Sequence, residues 1–175
     1  MEVGEKMKLF IPNEYHKTIH DIDLIKLYDR GIRLILTDLD NTLVGYDTAL
    51  PTEEIINFKS KADQLGIKVV IISNNKEKRV KIFAEKLGVE FTSNAKKPLK
   101  GGYRKYLSQY KRDEIAIVGD QVMTDVIGGN RMGFYTILVD CINYRNEQFR
   151  TKFNRFIERK IIKHYKIKDE KDGKN

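Results

Sequence analysis

A run of aliphatic residues, interrupted by one arginine and ending on two aspartates two positions apart, constrains this chain more than any other feature. It reads Ile-Arg-Leu-Ile-Leu-Thr-Asp-Leu-Asp-Asn-Thr-Leu over residues 32–43. A near-continuous apolar run bounded by a turn is the pattern of a parallel strand buried on both faces. Acid at the end of such a strand is costly to bury. In open α/β sheets, however, the carboxyl ends of the strands face the ligand crevice, so Asp38 and Asp40 fall where substrates bind. The competing reading is a strand-end turn in which both carboxylates bond nearby backbone amides. What the later strands carry decides between the two.

The rest of the chain alternates. Residues 12–30 are expected to hold a short helix, with Asp21 as N-cap, Ile22, Leu24, Ile25, Leu27 and Tyr28 as its apolar positions and Gly31 as stop. Pro51 and Thr52 open a second helix, with Ile55, Ile56, Phe58, Ala62 and Leu65 spaced for one buried face and Gly66 ending it. A strand over 67–72 completes a right-handed crossover unit. Beyond it the pattern predicts a helix over 76–87, a short strand over 90–92 and a helix over 99–109. A strand over 115–118, a helix over 124–130 and a strand over 135–139 follow. The expected fold is α/β, a three-layer doubly wound parallel sheet. With 175 residues, one domain over 1–168 and a frayed polar tail over 169–175 are expected.

The strand ends then present, in order, Asp38 and Asp40, Ser73, the Lys96-Lys97 pair, and Asp120 with Asp125, all on one rim of the sheet. Alone, Ser73 reads as a cap, either lysine as a solvated side chain and Gly119-Asp120 as a turn. Together they read as a site. Four carboxylates within a few ångströms repel by a few kcal/mol per close pair and so require a cation. Hard oxygen donors without sulfur point to Mg²⁺. Hydroxyl and backbone N–H donors at Ser73 and the following helix N-terminus suit a phosphate dianion.

These residues resemble the four motifs of the haloacid dehalogenase (HAD) superfamily phosphatases. Asp38-Leu39-Asp40-Asn41-Thr42-Leu43 is similar to the first, Ser73 after Ile71-Ile72 to the second, Lys97 before Pro98 to the third, and Gly119-Asp120 through Asp125 to the fourth. Asp-Leu-Asp-Asn-Thr-Leu, Lys-Pro and Gly-Asp-Gln-x-x-Thr-Asp-Val-x-Gly-Gly-Asn together resemble the YqeG-type branch of subclass IIIA, over about residues 8–150. The resemblance implies that Asp38 is the nucleophile and touches Mg²⁺, and that Asp40 is the general acid and base and offers its carbonyl to the metal. It implies that Ser73 and the Asn74 amide bind phosphoryl oxygens, that Lys97 neutralises charge, that Asp120 ligates Mg²⁺ and that Asp125 orients Asp120, a lysine or a coordinated water. Lys96 competes with Lys97. Thr42 either positions Asp38 or caps. Phosphatidylglycerophosphate phosphatases belong to this branch, which makes that lipid the expected substrate.

Spacing and charge bound the partners. The intervals between Asp40, Ser73 and Lys97 are filled by helices and strands, which leaves no room for a cap domain. An open site favours substrates that bring their own walls: a lipid headgroup, a nucleic-acid end or a phosphoprotein. A sugar phosphate stays open if oligomerisation supplies a lid. The formal charge of +8 is concentrated in residues 145–168, where nine Lys/Arg oppose two glutamates for a net of +7. Phe149, Phe153, Phe156, Ile157, Ile161 and Tyr165 recur there at helical spacing, predicting a basic amphipathic helix over about 147–166. It packs on the domain, lies on an anionic membrane or meets nucleic acid. One cysteine, Cys141, and no apolar run near Met1 fit a cytoplasmic protein or one peripheral to the inner face of a membrane. The alternative class is a binding module that keeps the anion site and recruits RNA, ribosomes or a partner.

Overall fold

The aliphatic runs of the sequence become the centre of a parallel sheet in the computed structural model, which describes residues 8–142. The expected basic helix at 147–166 and the tail at 169–175 lie outside the described residues. The strands are β1 (Glu14–His16), β2 (Leu34–Thr37), β3 (Lys68–Ile72), β4 (Glu90–Thr92), β5 (Ile115–Gly119) and β6 (Tyr135–Val139). They lie side by side in the order β1-β6-β5-β2-β3-β4, every pair parallel. The helices are α1 (Leu24–Asp29), α2 (Glu53–Gln64), α3 (Glu77–Leu87), α4 (Gly101–Arg104) and α5 (Ile127–Met132).

Alternation along the central strands produces two cores. Ile35 of β2, Val69 and Ile71 of β3 and Val118 of β5 pack with Leu27, Phe58 and Phe83 of α1, α2 and α3. Leu34, Leu36, Val70 and Ile117 point the other way, onto Tyr103, Tyr106, Met132 and Phe134. Helices on both faces make the third layer and explain why these strands carry almost no polar residues.

The structure corrects the sequence reading in several places. Residues 12–30 hold the expected short helix as α1, but a strand not foreseen precedes it: β1 pairs with β6 at the edge of the sheet. Its Glu14 carboxylate gathers the Tyr135 hydroxyl at 2.9 Å, His16 Nε2 at 2.9 Å and Lys26 Nζ at 3.1 Å. The His16 bond foremost holds the Glu14 carboxyl down to about 2. The N-cap of α1 is Asp23, which accepts from the Lys26 N–H, whereas Asp21 accepts from the Thr18 N–H and hydroxyl. On α2, Ile55, Phe58 and Ala62 are buried but Ile56 faces solvent. The helix expected over 99–109 is α4 followed by a 3₁₀ turn over Lys105–Ser108. The helix expected over 124–130 starts instead as a π-type turn, Val122–Val126, that runs into α5.

Connections reverse direction at β2: the chain runs outward through β3 and β4, then returns to the other side of β2 as β5. The gap between β2 and β5 at their carboxyl ends is therefore a topological switch point, the usual ligand crevice of such sheets.

Candidate active site

Asp38 is the first residue past β2, and its N–H continues the ladder by donating to the Val118 carbonyl at 2.9 Å. That bond fixes the carboxylate beside Gly119 and Asp120 at the end of β5. Lys97 reaches across from the loop after β4. Its Nζ donates to Asp38 Oδ1 and to Asp125 Oδ1, each at 2.7 Å, and its side chain is 2% exposed. Carboxylate oxygens of Asp38, Asp120 and Asp125 lie within 4.8 Å of one another, and all three residues are buried.

Such a cluster persists only because its charges are shared. Burial pushes the Asp38 carboxyl up to about 6, with the Asp125 charge adding to the rise and Lys97 opposing it. For Lys97 burial acts downward, but the Asp125 and Asp38 carboxylates outweigh it and raise its pKa above the ordinary lysine value. Lys97 is thus held as a cation between two acids. One ammonium does not balance three buried carboxylates. Lys97 uses Oδ1 of Asp38 and of Asp125, which leaves Oδ2 of Asp38 outside that pair. The all-oxygen donor set of Asp38, Asp120 and Asp125 fits a hard divalent cation.

Local backbone features aim these groups. The Gln121 carbonyl accepts from the Asp125 N–H at 2.9 Å and, in the i→i−5 bond that makes the turn π-type, from the Val126 N–H at 3.4 Å, while Asp125 Oδ2 folds back to accept from the Gln121 N–H and the Thr124 hydroxyl. A Cβ on Gly119 would sit 2.2 Å from the Asp125 carboxyl carbon, so only glycine admits this approach. The Thr42 hydroxyl donates to Asp120 Oδ1 at 3.4 Å rather than to Asp38. Ser73 Oγ accepts from the Asn75 N–H at 3.1 Å, which leaves the hydroxyl proton available to another acceptor. The Asn74 side chain grips the Lys97 backbone from both sides, accepting from its N–H at 2.6 Å and donating to its carbonyl at 3.1 Å. Lys96 is exposed, with φ of 55°, and its neighbour Lys97 turns inward. Asp125 therefore meets a lysine, and of the two candidates Lys97 is the one whose Nζ reaches Asp38.

Asp40 stands nearer the mouth, its side chain 14% exposed. Sequence reasoning missed both of its partners. Asn75 Nδ2 donates to Oδ2 at 3.0 Å, and Arg79 donates to Oδ1 from Nη2 at 3.0 Å and Nε at 3.3 Å. A signal existed: Lys78 and Arg79 occupy the first turn of α3, where the helix dipole disfavours cations. Tyr103, fully buried under the site, has a hydroxyl with no partner among the described residues, and a Cβ on Gly128 would stand 2.3 Å from it. A separate groove of about 590 Å³ between α1 and α2, lined by His20, Ile25 and Phe58 among others, contains none of the acidic site residues.

The lysine-clamped acids at the switch point of a parallel sheet place the chain in the class of HAD-fold phosphatases. A family model described as mitochondrial PGP phosphatase matches residues 1–143, and the chain belongs to that family. It is 42% identical over 163 residues to the Bacillus subtilis protein named "Probable phosphatase YqeG", spanning 92% of this chain and 94% of that one. It is 25% identical over 176 aligned positions to phosphatidylglycerophosphate phosphatase 1, chloroplastic/mitochondrial, of Arabidopsis thaliana, spanning 93% of this chain but 50% of that protein. Among solved structures, an uncharacterized protein from Listeria monocytogenes aligns with a TM-score of 0.53 at 18% identity, covering 69% of this chain and 88% of that one. The cobalt-bound deoxy-D-mannose-octulosonate 8-phosphate phosphatase of Haemophilus influenzae aligns at 0.51 with 15% identity, covering 64% and 69%. Those two likenesses concern the fold.

Proposed function

We propose that this protein is a Mg²⁺-dependent phosphomonoester hydrolase that works through an aspartyl-phosphate on Asp38, with phosphatidylglycerophosphate as its substrate. The observation that carries the chemistry is Lys97 bridging Asp38 and Asp125 at 2.7 Å beside Asp120. This arrangement keeps a carboxylate charged where a dianion must approach it. Asp38 attacks phosphorus in line, and the bond from phosphorus to the leaving oxygen breaks as Asp40 supplies that oxygen with a proton. Asp40 then takes a proton from the water that attacks the phosphoaspartate, which releases inorganic phosphate and restores Asp38. Lys97, the Ser73 hydroxyl and the Asn74 amide stabilise the phosphoryl oxygens. Asp38, Asp120 and the Asp40 carbonyl would hold a Mg²⁺, which would supply Lewis-acid charge neutralisation.

The substrate rests on the family and on the open rim, since the stretch from Asn41 to Pro51 carries turns and no helix. One capless domain over 1–168, working at the cytoplasmic face of a membrane with the basic C-terminal helix on anionic lipid, completes the reading. No helix among the described residues is long and apolar enough to cross a membrane. Purified protein is expected to release phosphate from phosphatidylglycerophosphate in mixed micelles, to stop in EDTA and to resume with Mg²⁺. Turnover restricted to soluble sugar phosphates overturns the lipid assignment, and binding of RNA without hydrolysis of any phosphomonoester overturns the enzyme.

Arg79 acts here as a positioning residue. Two charge-assisted bonds fix the Asp40 carboxylate, and a misplacement of about 1 Å costs on the order of 100-fold in rate. Arg79→Gln is expected to lower kcat about 10- to 100-fold with KM changed less than about threefold. An unchanged kcat assigns Arg79 to surface packing alone.

A further inference from the structure

We infer that the catalytic rim itself is a membrane-docking surface, with apolar side chains on its loops entering an anionic bilayer around the site. The inference rests on the lipid-phosphatase reading above and names the surface that reading requires. Nine large hydrophobic side chains are exposed among the described residues, and their placement is uneven. Four lie on helices. The loops at the amino ends of the strands contribute only Ile11. The loops leaving the carboxyl ends contribute four: Tyr46 at 57% and Leu50 at 53% after β2, Leu99 at 58% after β4 and Ile142 at 52% after β6. Scattered single exposures need no explanation, but a bias toward the rim that bears the acids does.

Backbone bonds tie these loops to the site. The Ile142 N–H donates to the Asn41 carbonyl at 3.1 Å, which brings the end of β6 against the Asp40 turn. Leu99 follows two residues after Lys97, its N–H bonded to the Lys96 carbonyl at 2.8 Å. Tyr46 and Leu50 belong to the loop that begins with the same Asp40 turn and ends at the Thr52 cap of α2.

Charge selects the occupant. Exposed Lys96 and Lys100 flank Leu99. In the sequence, a stretch with net charge +7 begins three residues after Ile142. Apolar tips flanked by exposed lysines, in a chain whose net charge is +8, match an interface with an acyl layer beneath anionic headgroups.

The test uses the full-length protein and vesicles of phosphatidylcholine with or without phosphatidylglycerol, measured by co-sedimentation at fixed salt. Wild type is expected to partition onto the phosphatidylglycerol vesicles. The triple variant Tyr46→Glu/Leu50→Glu/Leu99→Glu is expected to lose at least about tenfold in partition coefficient. Its melting temperature and its hydrolysis of a soluble phosphomonoester should stay near wild type, because none of the three side chains belongs to the reacting groups. Equal partition of variant and wild type overturns the inference, as does absence of wild-type binding. A wild-type dimer that the substitutions dissolve assigns the rim to self-association and also overturns it. Vesicle binding is read without turnover. Binding that depends on these residues in a protein that ignores phosphatidylglycerophosphate therefore leaves the docking surface standing and removes the substrate assignment alone.

Discussion

Asp38→Asn is expected to reduce phosphomonoester turnover by about 10⁴-fold or more while the protein stays folded. The size follows from what the substitution removes. Asparagine matches aspartate in shape, so the bond from the residue 38 N–H to the Val118 carbonyl and the packing at the end of β2 persist. An amide nevertheless has no charge with which to attack phosphorus. Stability should move little. Burying the charged Asp38 carboxylate is costly, as its rise to about 6 records, and the substitution removes that cost together with one of the two partners of Lys97. Lys97 keeps Asp125 at 2.7 Å. Rapid-quench labelling should trap phosphoprotein in wild type and none in the variant. Residual activity above about a hundredth would assign the nucleophile elsewhere. Asp40→Asn separates the steps: it retains Asp38 and should still accumulate label from a substrate with a good leaving group.

The fold was legible where burial on both faces forced one kind of residue. β6 falls where the sequence places it, and β2, β3 and β5 within two residues, because interior strands are buried on both faces and so mostly aliphatic; the edge strand β4, Glu90–Thr92, falls in place without that pattern. β1 escaped because Glu14-Tyr15-His16 is polar and half-buried, stabilised by bonds to residues about 120 positions away that no local pattern encodes. The same reason applies to Asp21 and Asp23, two equally good caps that only the entry geometry of α1 separates. At the site, spacing named the acids and the lysine pair because strand ends bring them to one rim. It could not choose between Lys96 and Lys97. That choice is made by the Asn74 side chain gripping the Lys97 backbone, a contact across 23 residues. Nor could it foresee the π-type turn, whose extra residue swings Asp125 back over Gly119. Arg79 was overlooked because a lysine- and arginine-rich helix start resembles an ordinary solvated face.

Lys97→Met should be the most destabilising single change at the rim, costing about 3–5 kcal/mol at neutral pH without divalent ions. Methionine fills most of the space, so the loss reports charge rather than volume. Without the ammonium, Asp38 and Asp125 face each other and Asp120 within a buried cluster. The pH dependence distinguishes this cause from lost packing. With Lys97 present the Asp38 carboxyl already sits near 6, above the ordinary 3.8; removing the cation that opposes the rise carries it higher. A carboxyl raised on folding costs stability above its folded pKa, and the cost fades as pH falls through that value toward the unfolded one. Lys97 itself, raised above 10.5, contributes fully at every pH below 10.5, so the wild-type reference does not lose this contribution in the window. The deficit of the variant, measured by urea denaturation, should therefore shrink between pH 7.5 and pH 5. Millimolar Mg²⁺ at pH 7.5 should narrow it as well, since a divalent ion among three carboxylates replaces part of the missing charge. A deficit that stays constant over pH and metal would mean that the lysine stem, not its charge, holds the loop after β4 onto the site.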